Sequence, residues 1–304
     1  MKATMLSRVR SYLRHRRALG FRLLVEGRLL ENFARFAERS GHRGPLTKQL
    51  AIRWAALPKG SDRLYRARRL EVVRVLARHL IISEPRTEIP PRYLFGPAHR
   101  RPDPYVYSPQ EIQKLMARVR RLQGPFRGQT YWTLIGLLAC TGLRISEALH
   151  LKPDDVDLTE GVLTVRESKY RKTRLVPLHA TAIGPLQDYA RRRQWLAPLA
   201  TTFFASERGT PLAYRTVGGT FSRLRQGIGV GGRRSPRLHD LRHAFTCRVL
   251  LRWQKSSKGA GGRVAVLSRY LGHARVTDTY WYLTALPELM AQAAKAFARY
   301  QDEN

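Results

Sequence analysis

Five groups of residues follow one another between positions 141 and 282. They are Thr141-Gly142-Leu143-Arg144-Ile145-Ser146-Glu147, Lys169 in a charged turn, His239-Asp240-Leu241-Arg242-His243, Leu271-Gly272-His273, and Tyr282. Attack on a phosphodiester builds negative charge on the non-bridging oxygens of a five-coordinate phosphorus. Arg144, Arg242, His239 and His273 supply two guanidinium forks and two imidazoles, a set that can hold this charge without a metal. The Tyr282 hydroxyl, with an ordinary pKa near 10, attacks best once a neighbour takes its proton. The 5′-oxygen leaves poorly as an alkoxide, and Lys169 is suited to protonate it. A phosphotyrosyl bond keeps the energy of the bond it replaces, so the same chemistry runs backwards without ATP.

Each group also has a plainer use. Arg144 and Glu147, three apart, can form a helical ion pair. Arg144 stands where Gly142 breaks one helix and Ser146 can cap the next, beside N–H groups that favour anions. His239 and Arg242 share a helix face. His239 and His243, four apart, could suit zinc, but no third ligand has a matching spacing. Lys169, within Ser168-Lys169-Tyr170-Arg171-Lys172, could be a solvated turn. Tyr280-Trp281-Tyr282 could be core. Tyr280 is the rival nucleophile, and on a helix its hydroxyl would face about 160–200° away from that of Tyr282.

The elements that must position these residues follow from punctuation and period. Residues 1–82 read as four or five helices. Leu23, Leu30, Phe33 and Phe36 recur at helical spacing, Thr47 caps one helix, and Ser61 caps another through Leu64 to Leu80. Prolines 85, 90, 91, 97, 102, 104 and 109 mark an extended stretch, which places a linker at 96–107. Ser108-Pro109 opens a helix in the cap and first-turn pattern. A second helix runs from about Gly128 to Cys140. Residues 154–178 change to a β-like period, which predicts a small antiparallel sheet of two or three strands. Helices follow near 179–194, 214–227, 236–253, 264–271 and 286–300, with a Gly/Ser-rich loop at 256–262. The fold class is mainly α with a small antiparallel β-sheet.

Charge narrows the partner. The chain has 304 residues, 56 of them Lys or Arg against 22 Asp or Glu, for a net +34. Residues 1–95 carry +15 of this, so both halves are basic. A 43% apolar content is enough for real cores, which excludes a disordered basic tail. Such a charge calls for a polyanion, with nucleic acid first and an anionic membrane surface second. Arginines outnumber lysines 46 to 10, and a coding sequence rich in Arg codons accounts for part of that. No apolar run reaches membrane-spanning length and the first residues lack an apolar signal core. Cys140 and Cys247 read as buried thiols of a reduced compartment.

The ordered motifs resemble those of the tyrosine recombinase (phage integrase) family. Its pattern is an Arg within T-G-x-R-x-x-E, a β-hairpin Lys, H-x-x-R, L-G-H, and a Tyr nine residues after that His. The corresponding residues here are Arg144, Lys169, His239 with Arg242, His273 and Tyr282. Glu147 falls at the supporting acidic position, and Thr279 at the Thr three residues before the nucleophile. Two departures stand out: the 256–262 loop lengthens the interval between His243 and His273, and Thr284 occurs where many members have His. The resemblance implies a helical, SAM-like core-binding domain (1–95), the 96–107 linker, and an α+β catalytic domain (108–304). It implies DNA cleavage and rejoining through a 3′-phosphotyrosine with no metal or other cofactor. It implies double-stranded DNA carrying specific sites as partner, and a homo-tetramer on two sites in which residues 286–300 dock into a neighbour, with sister recombinases as further partners. A cytoplasmic, nucleoid-associated setting and no membrane partner follow. A type IB-like topoisomerase and a catalytically silent accessory subunit are the competing readings, and the complete set of six residues weighs against silence.

Overall fold

The computed structural model describes residues 4–57, 60–99, 105–124, 126–166, 173–228, 235–254 and 263–285. Lys169, the 256–262 loop and the 286–300 segment lie outside them. The chain divides into two compact units, Met1–Pro102 and Asp103–Asn304.

The first unit is built on helices α1 (Met5–Ala18), α2 (Leu24–Arg39), α3 (Lys48–Ala56) and α4 (Arg63–Leu80). Their apolar stripes meet in one core around Val9, Leu30, Phe33, Trp54, Val73 and Leu76. Thr47 caps α3 by accepting from the Leu50 N–H at 3.3 Å. The cap of α4 is Asp62, which accepts from the Leu64 N–H, and not Ser61. The Ser61 hydroxyl instead accepts from Arg66 Nε. A carboxylate at the positive helix end is the stronger of two adjacent caps.

The second unit holds α5 (Pro109–Arg120), α6 (Arg127–Thr141), α7 (Ile145–His150), α8 (Ala180–Leu196), α9 (Tyr214–Leu224), α10 (Leu238–Gln254), α11 (Arg263–Leu271) and α12 (Thr277–Ala285). Strands β1 (Val156–Asp157), β2 (Val162–Val165) and β3 (Arg174–Pro177) form an antiparallel sheet in that order. Leu163 pairs with Val176 and Val165 with Arg174. Ser108 and Glu111 form a reciprocal capping box at the start of α5. The core gathers on α6, a helix apolar nearly all round, with Leu134, Ile135 and Leu138 buried. Cys247 is buried as expected, but Cys140 is exposed at the end of α6. An apolar helical pattern does not settle where a last-turn residue faces.

Candidate active site

The site begins where α6 stops. Gly142 takes the left-handed conformation (φ +65°), and a Cβ there would lie 2.5 Å from the Phe245 ring. The chain restarts at once in α7, and Arg144 itself occupies the cap position (φ −70°, ψ 142°). Ser146 does not cap. It is exposed, one residue inside the helix. Arginine has no acceptor to offer the free N–H groups, so the work falls to Glu147. Its carboxylate accepts the Arg144 backbone N–H at 3.0 Å and Arg144 Nη1 at 2.7 Å. The ion pair and the helix restart are thus one arrangement.

Arg242 lies in the second turn of α10 and is 2% exposed. Its Nη1 donates to Gly142 O at 2.8 Å and its Nη2 to Leu271 O at 2.7 Å. Burial, then the charge of Arg144, lowers its pKa to about 10, so it stays charged at neutral pH. Arg144 Nη2 donates to Gly272 O at 3.0 Å. The two arginines therefore tie the end of α6 to the end of α11, next to His273. Helix C-termini present unpaired carbonyls, and guanidinium groups are their natural partners.

A third arginine enters that the motif reading passed over. Arg174 opens β3 and forks onto Glu147 at 3.1 and 2.8 Å. Burial pushes the Glu147 carboxyl pKa up. Hydrogen bonds and charge from Arg174, and then from Arg144, outweigh it and hold the pKa at about 2. In sequence, Arg174 is only a basic residue at the start of a short strand. Its carboxylate partner is 27 positions away, a pairing that spacing does not signal.

The histidines and the tyrosine form the other side. His273 follows Gly272, and its Nδ1 lies 2.7 Å from the Thr279 hydroxyl. Tyr282 is 2% exposed. Its ring lies nearly parallel to that of His273 with centroids 6.5 Å apart. Its hydroxyl sits 2.7 Å from His243 Nδ1. With the imidazole hydrogen on Nε2, Nδ1 accepts the tyrosine O–H. Burial, then the neighbouring His239, lowers the His243 pKa to about 3, which keeps the ring neutral. His239 packs edge-on against His243 at 4.7 Å and remains exposed at the surface. Partial burial and then Arg242 lower its pKa. Tyr280, two residues from Tyr282, is 49% exposed. The two hydroxyls diverge as helical spacing requires.

The structure thus brings Arg144, Glu147 and Arg242 together around the turn that carries His273, and sets Tyr282 against His243 and His273. Lys169 falls in sequence between β2 and β3 and lies outside the described residues. Among the described residues, no three His, Cys, Asp or Glu side chains gather as a metal set. His239 and His243, a zinc pair by spacing alone, pack edge to face on one another instead. His243 was read from the sequence only in that role, because nothing in the spacing showed that it meets Tyr282.

A mainly helical domain with one small antiparallel sheet and this order of arginine, histidine and tyrosine defines a tyrosine-type site-specific DNA recombinase. The Phage integrase family model matches residues 106–288, and the chain belongs to that family. It is 40% identical to y4rB of Sinorhizobium fredii (strain NBRC 101917 / NGR234), named as an integrase/recombinase, over 96% of each chain. It is 33% identical to the tyrosine recombinase XerC of Bradyrhizobium diazoefficiens over 49% of this chain and 44% of that one. Among solved structures, the Tn1549 transposon integrase in complex with transposon right-end DNA shares the fold. Its TM-score is 0.72 at 18% identity, covering 98% of this chain and 99% of that one. A lambda integrase tetramer bound to a Holliday junction has a TM-score of 0.64 at 18% identity, covering 92% and 77%. No helix among the described residues is long and apolar enough to cross a membrane.

Proposed function

We propose that the protein cleaves and rejoins DNA through a covalent 3′-phosphotyrosine at Tyr282, without metal or ATP. The observation that carries this reading is the convergence of Arg144 and Arg242 on the turn bearing His273, with Tyr282 packed beside that histidine. Arg144, Arg242, His239 and His273 hold the charge that develops on the phosphate oxygens. The Tyr282 oxygen bonds to phosphorus as a neighbouring base takes its proton, the P–O5′ bond breaks, and Lys169 protonates the departing oxygen. Tyr282 is buried against His243 here, so its hydroxyl has to leave that partner to reach DNA. Residues 1–95 act as the core-binding domain and share the grip on DNA, with steep salt dependence from their phosphate contacts. Residues 286–300 dock into a neighbouring copy in a tetramer on two DNA sites, with or without sister recombinases.

The test is covalent trapping. The full chain is incubated in EDTA with nicked duplexes tiled from the DNA flanking its own gene, and an SDS-resistant protein–DNA band is scored. The band is expected with wild type and with Tyr280→Phe, and absent with Tyr282→Phe. A band lost in Tyr280→Phe and kept in Tyr282→Phe would move the nucleophile to the exposed tyrosine. Salt-sensitive binding with no band on any duplex would favour an accessory subunit.

A further inference from the structure

Three consecutive backbone carbonyls close α11, and each accepts from a different arginine. Tyr270 O takes Arg174 Nε at 2.8 Å, Leu271 O takes Arg242 Nη2 at 2.7 Å, and Gly272 O takes Arg144 Nη2 at 3.0 Å. Two of these arginines belong to the phosphate-binding set proposed above. Arg174 does not, yet it occupies the same turn and is the more deeply buried partner of Glu147, at 10% side-chain exposure against 22% for Arg144. The space it fills is close to the main chain. A Cβ at Gly272 would lie 2.7 Å from Arg174 Nη1. The residue before His273 is therefore packed directly against this guanidinium.

We infer that Arg174 is a positioning residue for the reaction, acting on Arg144 through Glu147 and on His273 through the α11 turn. This rests on the reading of Tyr282 and the two arginines given above. Glu147 is one carboxylate shared by two guanidinium groups. With Arg174 in place, its charge is divided, and Arg144 keeps positive potential for a phosphate. Without Arg174, Glu147 pairs with Arg144 alone and neutralises it, and the α11 turn loses one of its three anchors. The geometry requires a fork. One guanidinium spans both Glu147 oxygens and the Tyr270 carbonyl, which a lysine ammonium on a flexible stem cannot reproduce. Arg174 also opens β3, so the same side chain ties that strand to the α11 turn.

The test uses the full-length protein and a nicked duplex on which wild type forms the covalent band and Tyr282→Phe does not. If wild type forms none, the reading of the site fails first, and this inference with it. Given the band, Arg174→Lys and Arg174→Ala are compared for DNA affinity, thermal midpoint, and cleavage rate at saturating protein. Arg174→Lys is expected to keep its affinity and thermal midpoint while cleaving about 10–100-fold more slowly, the range typical when a residue that orients a functional group is changed. Arg174→Ala is expected to be at least as slow. Cleavage by Arg174→Lys at the wild-type rate would overturn the inference. So would a rate loss in Arg174→Lys that appears only together with lost affinity or a lowered midpoint, because that marks a purely structural role. The lysine variant keeps the charge, and so remains informative if the alanine variant does not fold.

Discussion

Both compact units bury arginines on main-chain carbonyls, but they spend them differently. In the first unit, Arg69 donates to Trp54 O at 2.6 Å and lies 3.7 Å over the Trp54 ring. Arg74 bonds Pro90 O and lies 3.2 Å from Glu71. These two side chains diverge, and each staples α4 to a separate part of its own unit. In the second unit, Arg144, Arg174 and Arg242 converge on residues 270–272, and the first two share the single carboxylate of Glu147. Three positive charges against one negative leave an excess at one place. That excess attracts an anion, whereas the staples of the first unit are balanced by an aromatic face or a carboxylate. Buried arginine alone therefore does not mark a site. The proposed site adds converging arginines with charge left over, beside a tyrosine.

Arg144 separates the two units most strongly. Arg144→Ala should lower the rate of covalent complex formation about 10²–10³-fold, as loss of one donor to a developing oxyanion does. Its side chain is part-exposed, so the thermal midpoint should move little. A rate close to wild type would mean that the excess charge serves packing, and the contrast between the units would collapse.

Arg69→Met tests the first unit in the same way. The substitution removes the charged donor to Trp54 O, which keeps only the longer bond from the Leu57 N–H at 3.3 Å, at a cost of about 1.5–3 kcal/mol. A lower thermal midpoint is expected, with cleavage per folded molecule unchanged at saturating DNA. A cleavage defect at full stability would place Arg69 in the functional set and remove the distinction drawn above.

The contrast also explains what the sequence could reveal. The order and spacing of TGLRISE, HDLRH, LGH and Tyr282 were readable because one helix end or one helix face determines each. The small sheet was readable because residues 154–178 change period. Arg174 was not, because its role depends on two elements, β3 and α11, meeting around Glu147, and no local spacing encodes that meeting. His243 was visible as a helical neighbour of His239, but its contact with Tyr282 spans 39 positions. The caps show the same limit at short range. Ser61 and Ser146 were reasonable caps by residue type. Asp62 and Arg144 take those positions because Asp62 offers a carboxylate, and because Arg144 is held by Glu147 of the helix it caps and by Gly272 O from outside that helix.

The smallest expected effect concerns the tyrosine side, and its sign follows from His243. In the folded protein its pKa is about 3, against an ordinary 6.5. Below pH 6.5 the unfolded chain binds a proton that the folded chain refuses, so stability falls as the pH drops through that window. Glu147 acts with the same sign but starts lower, from 4.5 toward about 2. Between pH 7 and pH 5 the histidines therefore dominate. His239 and His79, also lowered, contribute beside His243. The groups around His243 are His239, Asp240, Arg237, Arg242 and Tyr282. His243→Phe keeps a ring in the space and removes the proton site. Its thermal midpoint should fall less between pH 7 and pH 5 than that of wild type, by the equivalent of about 2 kcal/mol. The comparison is of slopes, so a constant penalty for stranding the Tyr282 hydroxyl does not enter. An equal slope in the two proteins would show that His243 is not held neutral. The tyrosine side would then carry a positive charge like the arginine side.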